Sequence, residues 1–162
     1  MSEKARLLCE EGEIVEVDKH IAIKSKLVAG IIDDSGIEDD IPVPQVSKKC
    51  LLKVIEYLVY IDSNEPPFIY MPLKSGDLYE CTTEWFAKFV DLEQAELFEL
   101  MLAANFLDIK SLLDLCSAKL ASWITSKSVE EIREFFGIEN DYTPEEEAKI
   151  KEENMWAQEA WL

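Results

Sequence analysis

LFELMLAANFLDIKSLLDLCSAKLA, Leu97 to Ala121, opens on a helix that is apolar nearly all the way round. A helix buried by ordinary packing shows one apolar stripe of roughly 100° and a polar back. Here Leu97, Met101 and Ala104 recur at i, i+4, i+7 on one side. Phe98, Leu102 and Phe106 fall on another, and Leu100, Ala103 and Leu107 on a third. Only Glu96, Glu99 and Asn105 interrupt. Two readings stay open: the helix is the central element of its own domain, or one face is reserved for a partner chain.

The segments around it define the rest of the chain. Asp108 is the expected cap of the next helix, Ile109 to Ile124. Upstream, helicity is expected from Trp85, with Trp85, Phe89 and Val90 inward. Before that, Asp62 to Thr83 loses all periodicity around Pro66, Pro67, Pro72 and Gly76, and so long an irregular stretch is commonly functional or poorly ordered. Ser47 precedes Leu51, Leu52, Ile55, Leu58 and Val59 at helical spacing, predicting a helix to Ile61. Ala5 to Cys9 and Glu13 to Val17 flank a turn at Glu10-Glu11-Gly12 and read as a hairpin. Ser25 caps a short helix through Ile32, followed by an acidic loop from Asp33 to Asp40. Pro42 and Pro44 permit only an edge strand at Ile41-Pro-Val-Pro.

Downstream, Ser128-Val-Glu-Glu131 is a capping box, with Gly137 as the stop signal of a short helix. Thr143-Pro144-Glu145-Glu146 is a second box with proline at the first helical position. The helix it starts is rich in glutamate and offers little apolar area beyond Ile150, Met155, Trp156 and Trp161, so a partner is expected to order it. Trp85 and Trp123 are expected in the core. Trp156 has two open readings, docking on Phe135 and Phe136 within the chain or direct contact with a partner.

Composition excludes several functions. The 162 residues suit one domain or a domain with an appendage. With 34 acidic against 16 basic side chains the formal charge is -18, which repels nucleic-acid backbones, so neither DNA nor RNA is an expected partner. No apolar run approaches the ~18 residues that span a bilayer, and Met1 to Arg6 lacks a secretory signal, so an intracellular protein without membrane contact is expected. Cys9, Cys50, Cys81 and Cys116 have no paired spacing and are expected as free thiols. The single His20 cannot complete a zinc site or a convincing nucleophilic triad. No phosphate-binding glycine loop is present, and the acidic run at Asp33 to Asp40 does not follow EF-hand spacing. No catalytic residue, metal or cofactor is expected.

Several collinear stretches carry a resemblance. Leu97 to Leu115, SVEEIREFFGIENDYTPEEE from Ser128 to Glu147 and ENMW from Glu153 to Trp156 resemble signature stretches of the S-phase kinase-associated protein 1 family. GEIVEVD from Gly12 to Asp18, HIA from His20 to Ala22, the P-V-P at Pro42 to Pro44 and VIEYL from Val54 to Leu58 look like its N-terminal half in the right order. The resemblance implies a mostly helical α/β fold of BTB/POZ type with a small three-stranded sheet and two additional C-terminal helices. A BTB/POZ-like domain would occupy residues 1–127, with loops near 33–40 and 62–83, and a helical extension for F-box binding residues 128–162.

The implied role is that of a non-enzymatic adaptor, cytoplasmic and nuclear, joining F-box substrate receptors to the cullin scaffold of an SCF-type ubiquitin ligase. By the same resemblance, Leu97, Phe98, Met101, Leu113, Leu120, Ile124, Phe136, Ile138 and Trp156 match the family's apolar F-box surface, and Asn105 and Phe106 its cullin contact. Phe106 stands where the family usually has tyrosine, so a hydroxyl is missing while the apolar contact survives. Pro144 matches a proline that some protist members hydroxylate and glycosylate. The resemblance also implies a weak homodimer when no partner is bound. A self-associating BTB scaffold or an elongin C-like adaptor is the alternative, and the helices after Ser128 argue against the latter.

Overall fold

The computed structural model describes residues 3–125 and 127–156. Strands β1 (Lys4–Leu8) and β2 (Ile14–Asp18) pair antiparallel with Ala5 opposite Val17 and Leu7 opposite Val15. That register puts all four of these apolar side chains on the buried face, as the two-residue period of a half-buried sheet requires. The turn closes through Cys9 N–H to the Glu13 carbonyl at 2.8 Å, and Gly12 supplies the positive φ (77°). The two-residue β3 (Ile41–Pro42) lies parallel to β1 on the far side, giving the order β2-β1-β3, so Pro42 sits in an edge strand.

Helices cover the sheet. The short α1 (Lys19–Ala22) leads to α2 (Lys26–Ser35), whose cap Ser25 accepts a hydrogen bond from Val28 N–H. The helix runs three residues past the expected end at Ile32, into the acidic stretch, because Gly36 first offers a stop, returning its N–H to the Ile32 carbonyl at 2.9 Å. Helix α3 (Lys48–Ser63) is capped by Ser47 and also outruns its expected end, at Ile61. Residues 64–77 are irregular, yet Ile69 and Leu73 pack on the core, so the segment is tied down rather than detached. A single 3-10 turn at Leu78–Glu80 follows, with Leu78 buried.

Helices α4 (Glu84–Phe89), α5 (Gln94–Phe106) and α6 (Lys110–Ile124) complete this part. Tyr57 is fully buried on α3, where it donates a hydrogen bond to Ser111 Oγ at 2.8 Å and packs on Phe86 and Phe89. Trp85 is half-buried and stacks flat on Tyr60 at 3.5 Å. Trp123 is also half-buried against the core. Asp108 does not cap α6. Its backbone takes the left-handed region (φ 49°) at the corner between α5 and α6, leaving the N-cap position to Ile109 with no side-chain cap.

The chain divides into two compact units, Met1–Ser126 and Lys127–Leu162. The second contains α7 (Val129–Phe136) and α8 (Pro144–Glu153), each started by a complete capping box. Neither of these helices buries a residue fully.

Candidate partner-binding surfaces

Helix α5 is both of the things its sequence allowed. Leu97, Leu100, Ala103 and Ala104 are buried, and Leu107 follows them into the core. Phe98, Met101 and Phe106 are half-buried, and Leu102 stands 69% exposed. A leucine left in water forgoes most of the ~2 kcal/mol that its burial provides. Phe98, Met101, Leu102 and Asn105 follow one another at i, i+3, i+4, i+7, so they share one outward face. Leu97 is the correction among the site candidates. It is fully buried, since its position at i, i+3, i+7 with Leu100 and Ala104 turns it into the core, and it offers no surface to a partner.

Helix α6 carries a second stripe. Leu113, Leu120 and Ile124 are half-buried, while Leu112, Leu115, Cys116 and Ala118 on the other side are buried. Leu102 was not among the residues matched to the F-box surface, although its spacing of four from Phe98 was a readable signal.

Asn105 and Phe106 end α5. Asn105 is exposed and Phe106 half-buried against the core. The corner behind them is fixed by the buried Ser25, whose hydroxyl donates to the Leu107 carbonyl at 2.6 Å. Lys26 reaches Asp108 across the same corner at 3.8 Å. The start of α2 thus buttresses the end of α5.

In the second unit, Arg133 on α7 and Glu147 on α8 form an ion pair at 3.1 Å, and Asn140 donates to the same carboxylate oxygen at 2.9 Å. The Arg133 guanidinium bond, with the Asn140 amide second, holds the Glu147 carboxyl below its ordinary range. A cleft of about 90 Å³ lined by Val129, Arg133, Tyr142, Glu147 and Ile150 lies between the two helices. Gly137 takes the left-handed conformation (φ 64°), donates its N–H to the Glu134 carbonyl at 3.2 Å and ends α7, which leads Phe136 directly to the exposed Ile138. Phe136 is half-buried and meets Phe135 edge to face. Trp156 is 70% exposed, so docking onto Phe135 and Phe136 is not its arrangement here, and Met155 beside it is exposed too. Trp161 lies outside the described residues.

No convergent chemistry accompanies these surfaces. Among the described residues no group of three histidine, cysteine or acidic side chains is placed to hold a metal ion, and no helix is long and apolar enough to cross a membrane. His20 lies on the surface, 3.5 Å from Asp62. All four cysteines are free. Burial, with the Glu99 carboxylate second, pushes the Cys50 thiol up to about 12, and burial does the same to Cys116. A cleft of about 260 Å³ between α3 and α5 has an apolar floor of Leu92 and Leu100 and a rim of Lys49, Lys53, Glu96 and Glu99, with the Lys49–Glu96 ion pair on it.

A small sheet backed by helices, with half-buried apolar stripes on α5 and α6 and exposed apolar residues on a helical extension, defines a POZ-type protein-interaction module. Two family models match its sequence, the Skp1 family tetramerisation domain over residues 4–62 and the Skp1 family dimerisation domain over residues 110–157. The chain belongs to the Skp1 family. It is 53% identical over 160 residues to the S-phase kinase-associated protein 1 homolog of Tetrahymena thermophila, covering 98% of this chain and 96% of that protein. It is 44% identical to SKP1-like protein 11 of Arabidopsis thaliana, covering 93% of this chain and 94% of the relative. With the E3 ubiquitin ligase complex SCF subunit sconC of Aspergillus fumigatus the identity is 42%, over 94% and 97% of the two chains.

Proposed function

We propose that this chain is the adaptor of an SCF-type ubiquitin ligase, linking F-box substrate receptors to the cullin scaffold. Family membership and the SCF name of the Aspergillus relative support the role. The observation that carries the binding surface is the unburied apolar area of the C-terminal half, with Trp156 70% exposed three residues past the end of α8, a helix that buries nothing of its own. An F-box segment lays its apolar side chains along Phe98 and Met101 of α5 and Leu113, Leu120 and Ile124 of α6. It also engages Phe136, Ile138 and Trp156 of the second unit. Large aromatic anchors such as Trp156 commonly dominate such contacts.

The cullin docks at the end of α5, on Asn105 and Phe106. The aromatic ring of Phe106 supplies apolar contact there, and the corner held by Ser25 supplies rigidity. The protein performs no catalysis. It holds substrate and ubiquitin-loaded enzyme at a fixed separation, which raises their effective concentration. It works in the cytoplasm and nucleus, without nucleic acid or membrane, and associates weakly with itself when free. Pro144, exposed at the first position of α8, is a substrate for hydroxylation and glycosylation. Added oxygen or sugar in the intact mass of protein from its native source checks this.

The main test is a binding measurement. Replacing Leu113 and Trp156 together with alanine abolishes capture of an F-box peptide, at a cost of at least ~2 kcal/mol in binding, while the circular dichroism spectrum is unchanged. Undiminished capture by that variant refutes the assigned surface.

A further inference from the structure

The irregular segment after α3 contributes no residue to the surfaces assigned to the F-box protein or the cullin. Along it Pro67 and Ile69 are half-buried, whereas Phe68 and Tyr70 stand 74% and 57% exposed. That alternation is the period of an extended strand, yet no strand lies beside it. Among the described residues, the backbone of Glu65 to Leu73 makes no hydrogen bond. The exposed rings of Phe68 and Tyr70 meet edge to face, with centres 4.9 Å apart.

An open cleft of about 440 Å³ adjoins the segment, lined by Pro67, Phe68, Thr83, the buried Phe86 and the carboxylates of Glu65 and Glu80. Neither carboxylate has an ion-pair partner among the described residues. The Lys74 ammonium lies 4.1 Å from the centre of the Tyr70 ring, so this aromatic face already accepts a cation.

We propose that Phe68 to Tyr70 is a docking edge for an extended, basic segment of a partner protein. The segment adds as a strand, pairing with the free N–H and C=O groups, while its arginine or lysine side chains reach Glu65 and Glu80. Unpaired backbone beside exposed rings is the template that strand addition uses. Charge complementarity fixes the kind of partner. Two unpaired carboxylates beside apolar walls suit a side chain with an apolar stem and a cationic head. The formal charge of -18 attracts a basic segment from a distance. A second copy of this chain would instead bring like charge to the cleft. Pro67 and Pro72 lack an N–H and bound the pairing run, so the added strand is short and the complex weak.

Isothermal titration calorimetry of the full chain with a capped hexapeptide of alternating arginine and valine tests the proposal. The peptide is expected to bind, with hydrogen-exchange protection gained over residues 68–71. Phe68→Ser/Tyr70→Ser weakens that binding by about tenfold or more. Two forms of the peptide, one N-methylated at its arginines and one at its valines, differ by a similar factor, since only one edge of an added strand pairs. Glu65→Lys/Glu80→Lys loses the arginine peptide and takes a glutamate–valine counterpart more tightly than the native chain does, a swap that a misfolded variant cannot give. Arginine-peptide binding indifferent to these substitutions is diffuse attraction to an acidic surface and overturns the docking edge. Equal affinity for the two methylated forms overturns strand addition, and absence of binding overturns the whole proposal.

Discussion

Ser25 shows how much a single hydroxyl can organise. It is 2% exposed, caps α2 through Val28 N–H at 3.2 Å and donates to the Leu107 carbonyl at the end of α5. Ser25→Ala removes the cap and leaves a buried carbonyl short of its donor, so the variant is less stable by about 1–3 kcal/mol in urea unfolding. That bond steadies the corner beside Asn105 and Phe106, the cullin surface proposed above, so Ser25→Ala is expected to weaken capture of a cullin in a pull-down as well. The cysteines separate by environment in a comparable way. Cys50 and Cys116 are buried with thiols pushed up to about 12, and Cys9 is buried with its thiol raised as well, by desolvation first and the carboxylates of Glu11 and Glu13 next. Cys81 is only partly buried, with its sulfur against the Ser75 carbonyl. Titration of the native protein with a thiol reagent near pH 8 therefore modifies Cys81 first, and peptide mapping checks the order.

At the scale of elements, α7 and α8 hold together by polar contacts rather than by a core, which makes them sensitive to acid. Glu147 is held low by Arg133 and Asn140, and Glu146 by the Thr143 backbone N–H and hydroxyl. A carboxyl whose folded value lies below its unfolded one stabilises the fold above the ordinary glutamate range, and that contribution disappears as pH falls through the folded value. Protection of the α8 amides, measured against their intrinsic exchange rate at each pH, accordingly falls below about pH 4.5 while that of α3 and α5 holds, as hydrogen-exchange mass spectrometry can record.

These two helices were also the most legible in the sequence. A capping box is a code of four adjacent residues, and Ser128 with Glu131 and Thr143 with Glu146 form their bonds without help from distant parts of the chain. The hairpin was legible for the same reason, from the turn at Glu10-Glu11-Gly12 and the two apolar runs beside it. Asp108 was not, because a cap and a left-handed corner use the same residue types, and the choice fell to the packing of α5 against α6. Leu97 was misplaced because a helix apolar on every side does not announce which face the core will take. The faces of α5 were legible in the spacing and the stripe on α6 only through the family resemblance, but burial alone separates Leu102, left out in water, from Leu97.

For the whole molecule, the division of labour is between a unit with a core and a unit whose described residues form none. Among the described residues, every member of the buried core lies between Ala5 and Ala118. A chain ending at Thr125 should therefore unfold cooperatively at nearly the denaturant midpoint of the intact protein, yet fail to capture an F-box peptide, since Phe136, Ile138 and Trp156 are gone. A large fall in the midpoint contradicts the independence of the first unit.

The exposed indole of Trp156 has an optical corollary. Indole emission shifts to the red in water and to the blue when a neighbour excludes solvent. Trp85, stacked on Tyr60, already sits in a partly shielded setting. Occupation of the C-terminal helix by a receptor segment should thus move the fluorescence spectrum towards the blue, and replacing Trp156 by phenylalanine should remove most of that displacement. The adaptor carries its own dye for titrating its partners.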